Sequence, residues 1–287
     1  MFDGVLLEKG LWMKRVHTGI EGLDLLTQGG LPADTLTLVS GPAGSGKSLL
    51  CMQFACQGAL VDDEPVLYVS LEESTESIAR ALANYTMDDS RPLKGGKLTV
   101  MDMGWLRKEL VTSGSDWGMA RLDDLWNEGK SYLVNMDWLK EEAMVEQELE
   151  AGMVGFRTLE AAVEHFSAHQ GIKRLVIDSL AAVGLYYDTP EDLRRELFRF
   201  GRYLREKKLT VMMITESVSG APHQTRYGVE HFIADAHIVL GLRNIKGEFK
   251  RTIMIQKMRF SGHDNGVHPF TITNSGIEIS AREYIRS

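Results

Sequence analysis

The 287-residue chain is 44% hydrophobic, enough for a full core in one large domain or two small ones, which excludes a disordered protein. Its 32 basic against 40 acidic residues give a net charge of -8, which argues against a surface built to neutralise a phosphate backbone and leaves room only for a local basic groove. The opening Met1-Phe2-Asp3-Gly4 lacks a basic leader, and no run of about 18 apolar residues follows, so the expectation is a cytoplasmic protein without membrane contact.

In chain order, residues 35–40 read as a buried strand, and Ser48-Leu49-Leu50-Cys51-Met52-Gln53-Phe54-Ala55 begins an apolar helix free of Pro and Gly. Between them Gly41-Pro42-Ala43-Gly44-Ser45-Gly46-Lys47-Ser48 fits G-x-x-x-x-G-K-[ST] without exception, in the strand–loop–helix context the motif requires. Its glycines let the backbone aim successive N–H groups at phosphate oxygens, and the helix N-terminus adds partial positive charge. Lys47 supplies a full charge, and Ser48 places a hydroxyl where Mg²⁺ bridging two phosphates needs an oxygen. With Leu49 following, this stretch is the candidate seat of a nucleoside triphosphate. Cys51 and Cys56 lie on the same helix and read as small core residues, not as a disulfide or metal pair.

A strand at 66–70, a helix at 74–85, a strand at 97–101 and, past 157, helix, strand, helix and strand predict a mostly parallel sheet covered on both faces. Residues 103–155 interrupt the alternation; they hold Trp105, Trp117, Trp126 and Trp138, four of the chain's five tryptophans, and are rich in acids. Stretches such as 138–146 suit helix, so the expectation is a small helical insertion whose indoles pack onto the main domain, or else form a docking or gating surface. The helix opening at Thr189-Pro190-Glu191-Asp192 carries a capping hydroxyl and a first-turn Pro. Leu193, Leu197, Phe200 and Leu204 form its buried stripe, and Arg194, Arg195, Arg199, Arg202 and Arg205 a solvated face or a contact. From Ala236 onward, runs at 237–242 and 252–258 flank a hairpin turn, and 270–279 adds strand, so an antiparallel edge closes the sheet.

Arg174-Leu175-Val176-Ile177-Asp178-Ser179 is an apolar strand ending in a carboxylate, where a triphosphatase needs the acid that holds the Mg²⁺ shell with Ser48. Glu72 and Glu73 follow the strand at 66–70 and face the same crevice as the phosphate loop, where one can polarise water and the other orient it.

Thr18-Gly19-Ile20-Glu21-Gly22-Leu23-Asp24, Gly29-Gly30, the phosphate loop, Leu71-Glu72-Glu73, Ile177-Asp178-Ser179, Leu193-Arg194-Arg195-Glu196-Leu197-Phe198-Arg199, Arg226-Tyr227-Gly228-Val229-Glu230 and Lys257-Met258-Arg259 together resemble the KaiC family, the circadian-clock ATPases and their relatives within the RecA superfamily. The resemblance runs from about 17 to about 280 and covers one ATPase domain, spanning 1–287 with the insertion, where the clock protein carries two. It implies an α/β RecA-like P-loop fold, ATP and Mg²⁺ as cofactors, and a homo-oligomeric ring, a hexamer, with ATP between subunits and a regulatory protein as partner. It implies phosphate binding by Gly41 to Ser48, catalysis by Lys47, Glu72 and Glu73, and metal binding by Ser48 and Asp178. Lys257, Arg259 and His263 match the Lys-x-Arg-x-x-x-His run that reaches the ATP of the adjacent protomer.

The chain also departs from the pattern. His231-Phe232 stands where the phosphorylating ring carries two hydroxyl residues, so self-phosphorylation at that site is not expected, and Ser48 replaces the usual Thr while keeping a hydroxyl. The competing class is a RecA-like DNA-dependent ATPase, whose pore would draw on Gly184-Leu185-Tyr186-Tyr187 and on 219–230; with one Arg and one His in the second and neither in the first, the pattern favours the nucleotide switch.

Overall fold

Runs of aliphatic and β-branched residues, buried on both faces, form the middle of the sheet: β3 (Leu36–Gly41), β4 (Val66–Ser70), β5 (Leu98–Asp102), β8 (Arg174–Asp178) and β9 (Thr210–Val218). The computed structural model describes residues 13–85, 97–104, 116–121, 132–135, 145, 148, 153–218, 221–245 and 247–285. Parallel pairing runs in the order β11-β3-β9-β8-β4-β5, with β11 at Ala236–Ile245. On the far side of β11 follow β12 (Glu248–Met258), β13 (His268–Thr273) and β14 (Gly276–Ile279), all antiparallel, as expected of a closing edge. β10 (Ala221–Thr225) folds back on β9, and β1 (Arg15–Val16) pairs with β2 (Leu31–Pro32) in a separate small sheet.

Strand alternation divides the core in two. Leu36, Leu38, Leu67 and Val69 face a cluster with Leu159 and Phe166 of α4 (Phe156–Gln170) and with Leu193, Leu197, Phe200 and Leu204 of α6 (Pro190–Glu206). Val39, Val66 and Tyr68 face the opposite cluster, with Leu23 of α1 (Glu21–Leu26), Leu50 and Phe54 of α2 (Lys47–Cys56) and Ile78 and Leu82 of α3 (Thr75–Tyr85). α5 (Leu180–Gly184) follows β8, and a π turn, Gln57–Val61, extends α2. Thr189 caps α6 by accepting the Asp192 N–H at 3.1 Å. The α6 arginines are more engaged than a solvated face requires: Arg199 bridges Glu196 at 2.8 Å and Glu160, while Arg194 lies 4.6 Å from the Phe232 ring centroid.

The insertion differs from the expected helical unit. Among the described residues, β6 (Asp116–Arg121) and β7 (Tyr132–Asn135) form an antiparallel pair on the outer edge of β5, with helical backbone at Met103, Gly104, Val145 and Glu148. Pairing supplies the physical reason, because β5 would otherwise present an open row of backbone donors and acceptors. Of the 138–146 stretch read as helix, only Val145 is described; Trp105, Trp126 and Trp138 lie outside the described residues. Among its described residues, Val145 is fully buried, and Glu148 accepts from the N–H groups of Gly155 at 3.1 Å and Thr158 at 2.9 Å, capping α4. Cys51 and Cys56 are free and buried, and burial pushes the Cys56 thiol up to about 12. No helix among the described residues is long and apolar enough to cross a membrane.

Candidate functional site

The phosphate loop leaves the C-terminal end of β3 and turns into α2 through left-handed glycines, Gly44 at φ 74° and Gly46 at φ 100°. Nothing lies within 4 Å of a Cβ built on Gly44, so its requirement is conformational, whereas a Cβ on Gly41 would fall 2.7 Å from the Leu240 carbonyl. The Ser45 hydroxyl donates to the Pro42 carbonyl at 2.7 Å and holds the loop closed on itself. Lys47 folds over the same loop, donating to the carbonyls of Gly41 at 2.9 Å and Pro42 at 3.0 Å. Burial pulls its ammonium below the ordinary lysine value, opposed by the carboxylates of Glu216, Asp178 and Glu72.

Asp178 ends β8 one strand beyond β9, 8% exposed, and accepts the Tyr68 hydroxyl at 2.7 Å, with the Ser48 hydroxyl near enough to act on its carboxylate. Burial raises its pKa; the donors Ser48 and Tyr68 counter, while Glu73 and Glu72 add to the rise. A hydroxyl and a carboxylate at the mouth of an amide cradle form a hard-oxygen set suited to Mg²⁺, so the residues fit a magnesium-bound triphosphate. Ser70 pairs with Asp178 across β4 and β8, which brings Glu72 and Glu73 level with the same crevice. Glu72 accepts the Ser179 hydroxyl at 2.9 Å; Glu73 accepts the Ser77 hydroxyl at 2.9 Å and so leans toward α3.

Lys257, Arg259 and His263 lie elsewhere. Through β11, Ala236 and His237 pair with Thr37 and Leu38 on one side and with Met258 and Lys257 on the other. The cationic end of β12 therefore flanks the start of β3, roughly 13 Å of strand from the loop at its other end. Lys257 donates to the Ala234 carbonyl at 2.6 Å, and Arg259, 48% exposed, lies 3.5 Å from Asp235. Both border a cavity of about 390 Å³ with His231, Phe232, His237 and Gln256. The His263 Nε2 is buried without a hydrogen-bond partner among the described residues. One copy brings Lys47, Ser48, Glu72 and Asp178 together and leaves the Lys257 group apart.

Sequence reasoning missed Glu216. It lies in β9 opposite Gly41, ion-pairs with Arg226 at 2.5 Å, and is the carboxylate that acts most on Lys47. The rule that selected Asp178, an acid at the end of a buried strand, passes over Glu216, because β9 runs on to Val218. The Tyr68 contact with Asp178 carried no signal in sequence, because the partners are 110 residues apart.

The sequence profile of the KaiC ATPase family matches residues 16–284. The chain is 35% identical over 265 residues to the circadian clock oscillator protein KaiC of Parathermosynechococcus lividus, covering 92% of this chain and 42% of that one. Against KaiC of Synechococcus elongatus it is 33% identical over 267 residues, with 92% and 44% covered, so the chain spans less than half the length of these relatives. The crystal structure of a KaiC-like protein from Pyrococcus horikoshii superposes with a TM-score of 0.64 at 28% identity, covering 93% of this chain and 99% of that one. On this evidence the chain belongs to the KaiC ATPase family.

Proposed function

We propose that this chain is one KaiC-like ATPase domain that binds Mg·ATP at the loop Gly41 to Ser48 and hydrolyses it, acting as a nucleotide-dependent switch in a homo-oligomeric ring, a hexamer. The observation that carries this is the junction of Lys47, Ser48 and Asp178 at the C-terminal ends of β3 and β8, with Glu72 held at their edge by Ser179. When bound, Mg²⁺ would neutralise charge building between the terminal phosphates. Ser48 and Asp178 would hold that ion. The loop N–H groups and Lys47, released from the Gly41 and Pro42 carbonyls, would bind the phosphates. One of Glu72 and Glu73 would take the proton of the attacking water, and the other would orient that water.

The separation of the Lys257 group from the loop of its own copy supports a seam in which a neighbour supplies Lys257, Arg259 and His263. With His231-Phe232 at the alternative acceptor position, no hydroxyl is available there for self-phosphorylation. The DNA-dependent reading draws little support from 219–230, because its one arginine, Arg226, is committed to Glu216. Phosphate release from ATP tests the activity: the reading expects turnover that needs Mg²⁺ and disappears in Lys47→Met. Turnover that survives either EDTA or that substitution would sink it.

A further inference from the structure

We infer that Tyr68 is a positioning residue of the metal site: its phenol fixes the Asp178 carboxylate in the orientation that serves Mg²⁺ alongside Ser48. The inference rests on the Mg·ATP reading above.

Tyr68 occupies the middle of β4, 1% exposed, in the core beneath α2. Phenylalanine would fill that volume without burying a hydroxyl, and a buried hydroxyl is costly unless it has a partner. Its partner is the Asp178 Oδ2 at 2.7 Å, a short donor–carboxylate contact of the stronger, charge-assisted kind. Register explains why tyrosine reaches it: Tyr68 pairs with Val176, and Asp178 lies two residues farther along β8, about 7 Å of strand, beyond the reach of Ser or Thr.

The Ser48 hydroxyl also acts on the Asp178 carboxylate, favouring its charged form. A bound cation would use a lone pair of the Ser48 oxygen and leave its O–H in place, so the donor to Asp178 that does not also serve the ion is Tyr68. Tyr68 donates from the buried core and would keep the carboxylate from rotating, leaving its other lone pairs available to an ion. A ligand is only as good as the partner that orients it, and such partners govern metal affinity strongly.

The test follows binding of a fluorescent N-methylanthraniloyl ATP to the full chain as MgCl₂ is added, for wild type, Tyr68→Phe, Asp178→Asn and the double variant. Tyr68→Phe should raise the Mg²⁺ concentration at half-effect about tenfold, the scale of a hydrogen bond to a charged group, and leave affinity in EDTA unchanged. In the Asp178→Asn background the same substitution should shift the midpoint no further, because Tyr68 acts through that carboxylate. The midpoint is read only on molecules that bind, so a partly unfolded preparation does not change it. An unshifted midpoint in Tyr68→Phe, or an equal shift with and without Asp178, would overturn the role. A wild type whose nucleotide binding ignores Mg²⁺ would overturn the metal reading itself, and that result is visible before any variant is made.

Discussion

Arg259→Ala distinguishes a cation that serves a neighbour from one that holds its own fold. Its guanidinium is 48% exposed and 3.5 Å from Asp235, which also faces Arg205 at 3.4 Å and accepts the Leu36 N–H at 3.2 Å. Asp235 therefore keeps partners after the substitution. An exposed pair of this kind is worth about 0–1 kcal/mol, so Arg259→Ala should lower Tm by no more than about 4 °C. If the guanidinium instead stabilises charge on a triphosphate held by the next copy, kcat should fall about 10³-fold, or about 4 kcal/mol of transition-state stabilisation. A rate loss that far exceeds the stability loss is the signature, read by phosphate release alongside a thermal melt.

Mixing adds a sharper readout. Arg259→Ala copies keep an intact loop and Lys47→Met copies an intact β12, so random co-assembly of the two inactive proteins should rebuild about a quarter of the seams of a head-to-tail ring. Mixtures as inactive as their parents, or an Arg259→Ala protein of nearly normal rate, would refute the shared seam.

Glu72→Gln and Glu73→Gln should each be compared with wild type at saturating Mg·ATP: the carboxylate acting as base should lose about 10²-fold or more in kcat with nucleotide affinity retained. Gly46→Ala puts a side chain at φ 100° and a Cβ 3.4 Å from Ile272 Cδ1, so calorimetry should find nucleotide affinity reduced about tenfold by the lost loop conformation. Arg174→Met removes a buried guanidinium that donates to Glu64 at 2.8 Å, to the His17 carbonyl at 2.9 Å and to the Phe54 carbonyl at 3.1 Å; denaturant unfolding should show a loss of about 3 kcal/mol. For Asp264, burial pushes the carboxyl up, but the donors Gly266, His268 and Tyr284 outweigh it and hold the pKa below 3.8. A depressed carboxylate stabilises the fold above its unfolded pKa, and that contribution is lost as pH falls through the folded value. Asp264→Asn should therefore be less stable than wild type at about pH 7, with the gap closing as pH falls below the ordinary carboxylate value and through the folded one.

The central strands and the site's main groups were legible because their signals are local. β3 and β8 are short apolar runs bounded by function-bearing ends, and the loop of Gly41 to Ser48 carries its chemistry in consecutive residues. The insertion was legible as a break in the pattern but not as sheet, because Asp116–Arg121 becomes a strand by pairing with β5, a contact that no alternation within Asp-Trp-Gly-Met-Ala-Arg announces. Nothing in the apolar run after Arg174 announces that its own side chain is 1% exposed, its charge met by groups brought from α2 and the turn after it. Tyr68 and Glu216 were hidden for the same reason: neighbours in a parallel sheet are distant in sequence, so the chain names the residues but not which carboxylate each one meets.

Light scattering on the full chain, with and without Mg·ATP, addresses the claim that two copies build each nucleotide site. A closed particle of about six copies is expected when Mg·ATP is present. A particle of one copy under both conditions, still hydrolysing ATP at an undiminished rate on dilution, would contradict it.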